Sequence, residues 1–173
     1  MAATVEIHEL NGEAEAGTNK TGGSIRFKMA DNATVDLADP IPVPSSGTAY
    51  SMQKWLRMNV SGTYTQISSP RFYTDGGNGF GSGCKMWVKT AAAYATPAVP
   101  STSDDPPHLS GVDMVDAFSY TSGSPLALDA LNAGPFTGSG YKGDYAVLVY
   151  EVEPGTGQGV KTAETITITW QEI

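Results

Sequence analysis

From Thr165 to Trp170 the chain reads Thr-Ile-Thr-Ile-Thr-Trp, so Ile166, Ile168 and Trp170 alternate with Thr165, Thr167 and Thr169. A period of two built from β-branched residues suits a pleated strand with one buried side, and it conflicts with the 3.6-residue turn of a helix. The same period recurs along the chain. Val5 and Ile7 share one face in "TVEIHEL", Ile25, Phe27 and Met29 oppose Arg26 and Lys28, and Leu56, Met58 and Val60 oppose Arg57 and Asn59. Each pattern predicts a strand with one wet face. Residues 65–74, 84–90 and 112–121 are further candidates. The continuous apolar run "YAVLVYEV", Tyr145 to Val152, predicts a central strand covered on both sides.

About eight strands separated by Gly, Pro, Ser and Asp clusters predict an all-β, single-domain antiparallel β-sandwich of jelly-roll type with extended Pro- and Gly-rich loops. A length of 173 residues fits one domain. Residues 24–173 are the expected sandwich, and residues 1–23 an N-terminal arm or edge strand. Only "AYSMQKWL", residues 49–56, and "PLALDALNAG", residues 125–134, could hold two helical turns, the second with Leu128 and Leu131 at helical spacing and a stop at Gly134 before Pro135.

Residues 11–23, 38–48 and 97–111 read as irregular. The second holds Pro40, Pro42 and Pro44, and the third holds Pro97, Pro100, Pro106 and Pro107. Proline donates no backbone hydrogen bond, so these stretches predict extended connectors or arms. Between two strand patterns lies "TDGGNGFGSGCKMW", Thr74 to Trp87, with five glycines in fourteen residues. A dinucleotide loop needs a helix after its glycines, and a P-loop needs Gly-Lys-Ser/Thr; here a strand pattern follows. The segment is therefore expected to be a strand-to-strand loop, with Phe80 at its tip either tucked in or offered to a partner. Phe80, Pro40, Pro42, Pro44, Pro106 and Pro107 are the candidate partner-binding residues.

A formal net charge of −8 with scattered basic residues argues against a phosphate-rich partner, so no nucleic acid is expected. No run approaches the roughly 20 apolar residues of a membrane helix, and the N-terminus lacks a signal-peptide pattern, which predicts a soluble chain made in the cytoplasm with no membrane partner. Cys84 is the sole cysteine, which excludes an intramolecular disulfide and predicts a buried small hydrophobe. His8 and His108 are the two candidate bases, and neither belongs to a recognisable nucleophile motif. Asp104 with Asp105, or Asp113 with Asp116, could pair for glycoside hydrolysis, and Asp75 with Asn78, or Asp104 with Asp105, could offer oxygens to calcium; turn carboxylates are the plainer reading. The expectation is a non-enzyme with no catalytic residue, cofactor or metal. Trp55, Trp87 and Trp170, with six of the tyrosines, are spread over most predicted strands, which suggests a surface that binds protein or carbohydrate.

In "KWLRMNVSGTYTQISSPRFYTDG", "YKGDYAVLVYEVEPGTGQG" and "ETITITWQEI" the chain resembles the head decoration, or capsid cement, proteins of tailed bacteriophages. The resemblance covers about half the chain and transfers no individual residue. It implies a virion structural protein, made in the host cytoplasm, that sits on the capsid surface as a homo-oligomer, commonly a trimer. Its partner would be the major capsid protein lattice, and its effect stabilisation of the shell by mass action. A carbohydrate-binding or adhesin-like β module and a tail-tube or tail-tip component are the alternatives.

Overall fold

The computed structural model describes residues 2–173. The alternating segments become strands: β1 (Ala3–Asn11), β2 (Ala16–Asn19), β3 (Ala49–Tyr50), β4 (Lys54–Gly62), β5 (Ile67–Tyr73) and β6 (Cys84–Ala91). β7 (His108–Leu109), β8 (Val112–Asp113), β9 (Val115–Asp116), β10 (Leu126–Ala127), β11 (Gly140–Val152) and β12 (Thr167–Glu172) complete the set, with one 3-10 turn at Ala117–Ser119. The fold is all-β, and every ladder is antiparallel. A seven-stranded sheet runs in the order β2-β1-β4-β11-β6-β9, with β3 also paired to β11; β10-β5-β12 form a second sheet and β7-β8 a short ribbon.

β11 organises the core because its residues are apolar on both faces. Every residue from Gly143 to Val152 is buried. Ala146 and Leu148 face the three-stranded sheet in one cluster with Leu56, Met86, Val88 and Phe72, against which Ile168 packs. Tyr145, Val147 and Val149 face the other way, against Trp55, Leu10, Leu109 and Met114. That second face is roofed by the loop segment running from Tyr94 to Met114 rather than by another large sheet.

Several expectations are corrected by where backbone groups find partners. Residues 24–30 form no strand although Ile25 and Phe27 pack on the core. Met29 N donates to Asp39 O and Met52 N donates to Lys28 O, so this backbone is satisfied piecemeal, without a ladder. Residues 112–121 break into β8, β9 and the 3-10 turn, where Asp116 Oδ1 accepts the Phe118 N–H at 2.9 Å. Neither predicted helix forms. Residues 49–56 supply β3 and the start of β4, with Tyr50, Trp55 and Leu56 all buried. Residues 125–134 supply β10 and a turn clasped by the Asp144 carboxylate, which accepts the N–H groups of Leu131 and Asn132 at 3.0 and 2.7 Å. In the stretch read as an arm or edge strand, β1 lies inside the large sheet and β2 at its edge, with Met1 outside the described residues.

A buried ion pair fastens the strap after β2 to the sheet. Glu9 on β1 and Lys54 on β4 are both 0% exposed, with Lys54 Nζ 2.8 Å from Glu9 Oε1. Lys54 also donates to Asn32 O at 2.8 Å, while Asn11 Nδ2 and Gly12 N donate to the Asp31 carboxylate. Residues 31–32 are thus tied down at a point without regular structure.

Candidate functional site

Two irregular straps cross the Leu148 face of the large sheet: residues 20–43, which follow β2, and residues 156–166, which lead into β12. Neither fills the space over the sheet. Between them lies a groove of about 1140 Å³. Its floor is Phe80, Met86, Leu148 and Tyr150; Ile25, Phe27 and Ile41 line one wall, and Val160, Ile166, Ile168 and Trp170 the other. The lip is apolar and open. Leu37 is 69% exposed, Val160 65%, Val35 53% and Trp170 37%. Isolated exposed aliphatics are ordinary on a protein surface, but four around one cavity form a patch of the kind that marks an interaction site.

The groove exists because the straps cannot enter the sheets. Pro40 and Pro42, in one wall, donate no hydrogen bond and hold the backbone extended. Opposite, glycines at 155, 157 and 159 keep the strap free of bulky side chains where it departs from β11.

The groove is also unusually basic for an acidic chain. Lys20, Arg26, Lys28 and Lys161 line it, four of the ten basic residues, against one lining carboxylate, Glu164. Lys28 pairs with Asp36 at 3.0 Å and Lys20 lies 3.7 Å from Glu9. The Lys28 ammonium also holds the Asp36 carboxyl below the usual carboxylate range. Among the described residues Arg26 and Lys161 form no salt bridge, although Arg26 stands near enough to Asp36 to help lower its carboxyl; Lys161 meets the Gly157 carbonyl. On the floor, burial and then the neighbouring Cys84 thiol push the Tyr150 hydroxyl well up. Its oxygen has no hydrogen-bonding oxygen or nitrogen partner among the described residues.

The glycine segment is a loop between β5 and β6. Phe80 is half-buried there, with ring centroids 4.9 Å from Tyr150 and 5.8 Å from Phe118. Its oxygens serve the turn: Asp75 Oδ1 accepts the Gly77 N–H at 2.9 Å and Asn78 Oδ1 accepts the Phe80 N–H at 3.1 Å. Of the six candidate contact residues, the fold gathers Phe80, Pro40 and Pro42 into the groove, whereas Pro44 is half-buried outside its lining. Pro106 and Pro107 belong to the 104–116 lobe, which packs on the opposite face through Leu109 and Met114.

The remaining titratable candidates are spread out. His8 Nε2 lies 2.9 Å from Glu6 and its Nδ1 3.1 Å from the Tyr141 hydroxyl. His108 sits between Asp113 at 2.8 Å and Asp104 at 3.5 Å, while Asp116 caps the 3-10 turn. Cys84 is buried. A small hollow of about 180 Å³ near the ends of β5 and β12 is lined by Tyr73, Asp75, Thr121, Ser122 and Thr165. Sequence reasoning missed the basic residues of the groove and its aliphatic lip. Leu37 and Val160 carry no periodic signal, and only the fold gives them a common neighbourhood.

No known protein family, curated relative or solved structure matches this chain.

Proposed function

We propose that the chain is a non-enzymatic virion structural protein that binds a capsid lattice and stabilises it, with the groove between the two straps as its docking surface. The observation that carries this reading is the open apolar lip of Leu37, Val160, Val35 and Trp170 around a cavity with Phe80, Pro40 and Pro42 in its lining. An extended chain from a neighbour fits such a surface: aliphatic side chains enter the cavity and unpaired cations meet the chain's carboxylates. Repeated over many copies, a modest contact becomes strong, and binding only the assembled lattice stabilises that state by mass action. The same proposal takes the two facing sheets as a β-sandwich of jelly-roll type with a second layer of three strands; the shared cluster of Phe72, Leu56 and Leu148 supports its sandwich part. The test is co-sedimentation of the purified protein with expanded, undecorated capsids at micromolar concentration. The parent should pellet with them and a Leu37→Asp, Val160→Asp variant should stay in the supernatant; a parent that stays in the supernatant refutes the proposal.

One observation favours a second reading. The hollow beside Tyr73 presents Asp75 and the hydroxyls of Thr121, Ser122 and Thr165 next to an aromatic ring, which is the chemistry of a shallow sugar subsite. A glycan-array signal abolished by Tyr73→Ala and untouched by the groove variant would favour a carbohydrate-binding module.

A further inference from the structure

We infer that the groove receives the acidic lobe of a neighbouring copy of this same chain, residues 104–116, in a head-to-tail contact. The inference takes the groove to be a docking surface, as proposed above, but does not depend on the capsid.

Charge is the first argument. The chain carries −8 overall, yet the groove gathers four of its ten basic residues, and Arg26 and Lys161 form no salt bridge among the described residues. The lobe is its complement. It holds Asp104, Asp105, Asp113 and Asp116 in thirteen residues, without lysine or arginine; among these, His108 is the one group that can gain positive charge, and Lys89 reaches in only to the Asp113 carbonyl.

Apolar shape is the second. Val112 is 52% exposed and Val115 41%, interleaved with Asp113 and Asp116 along β8 and β9. β9 ends the large sheet, so one side of its backbone has no strand partner. The β9 edge with Val115 and Asp116, and the neighbouring β8 with Val112 and Asp113, match a groove with an aliphatic lip and cations outside any salt bridge.

Geometry is the third. The lobe packs through Leu109 and Met114 on the Val147 face of the sheet, whereas the groove lies over the Leu148 face. One sheet separates the two surfaces, so a copy cannot fill its own groove. Contacts between two different patches are heterologous, and they either close into a ring or run on as a filament. A ring of few copies is the outcome consistent with the proposed role.

The experiment is sedimentation velocity on the full chain over a concentration series, with two charge reversals, Arg26→Glu in the groove and Asp113→Lys in the lobe. The parent is expected to form a discrete small oligomer. Each variant alone should raise the dissociation constant by about tenfold or more. Mixed together, the two should re-associate, because the intact lobe of the first still fits the intact groove of the second. Val115→Ser, which leaves the charges and the Asp113–His108 contact in place, should weaken association as well and serves if Asp113→Lys fails to fold. A monomeric parent, variants that associate like the parent, or a mixture that stays monomeric overturns the inference. Capsid binding by a monomeric parent would leave the function standing and remove this contact alone.

Discussion

Replacing Lys54 by methionine tests whether the strap that walls the groove is held by the buried ion pair beneath it. Lys54 and Glu9 are both fully buried, with Nζ and Oε1 2.8 Å apart. Methionine keeps most of the side-chain volume and deletes the charge, so the loss is electrostatic rather than a cavity. Leaving a buried carboxylate without its cation costs about 3–5 kcal/mol. Lys20 Nζ stands 3.7 Å from the other Glu9 oxygen and can take over part of the charge, which puts the expectation near the lower bound, about 3 kcal/mol. For a chain of this length that corresponds to a fall in Tm of roughly 6–12 °C. The Lys54 bond to Asn32 O is lost too, so residues 31–32 should exchange amide protons faster than the sheet. Urea unfolding followed by tryptophan fluorescence gives the stability, and an unchanged m-value shows that the same surface is still exposed on unfolding. The double variant Glu9→Leu, Lys54→Met removes both charges of the pair and should recover at least about 1 kcal/mol over the single variant, the remaining deficit being the orphaned Asn32 carbonyl and the Lys20 ammonium left without its carboxylate. A single variant within about 1 kcal/mol of the parent, or a double variant no better than the single, would refute the electrostatic account.

Gly143 sits at the β11 irregularity with φ +72°, and a Cβ there would lie 2.6 Å from Leu128 O, so Gly143→Ala should cost about 1–3 kcal/mol or more in urea unfolding. Burial, and for Tyr145 next the hydrogen bond to Glu15, pushes Tyr94 and Tyr145 up to about 12. The unfolded chain then ionises near pH 10 while these two keep their protons, so stability is unaffected below 10 and falls as pH rises from about 10 to 12; absorbance at the phenolate band should show delayed ionisation that appears together with unfolding. Leu37→Ser, at a side chain 69% exposed, should change unfolding free energy by no more than about 0.5 kcal/mol while weakening co-sedimentation with capsids, and a large stability loss would mean that the lip is core rather than surface. Cys84, buried beneath the glycine loop, should react with a thiol reagent only once denaturant opens the sheet.

Strands whose apolar residues meet a neighbouring ladder were legible in the sequence. Leu56, Met58 and Val60 alternate and are buried, and the two-sided run from Tyr145 to Val152 is the centre of the large sheet. The "SIRFKMA" segment misleads because its alternation is real but its backbone meets no ladder, so Ile25 and Phe27 pack as isolated anchors. Local helical spacing at Leu128 and Leu131 lost to a distant carboxylate, Asp144, whose hold on the turn no local pattern records. The groove was half legible. Proline and glycine marked the straps, because both residues disrupt strand pairing wherever they occur. The cations and the aliphatic lip could not be found that way, since Arg26, Leu37 and Val160 become neighbours only through long-range packing.

The position of β11 has a consequence for how the molecule is made. β4 and β6 flank it along most of its length, with the short β3 paired at its end, and all three precede it by long stretches of chain. During synthesis β4 and β6 emerge from the ribosome as two ladders facing an empty slot, each able to pair wrongly with the other or with a nascent neighbour. Closure waits for a late segment and a distant loop closure, the situation that slows β-rich folding. Yield in a heterologous host should therefore respond to translation speed and growth temperature more than the native stability alone would suggest.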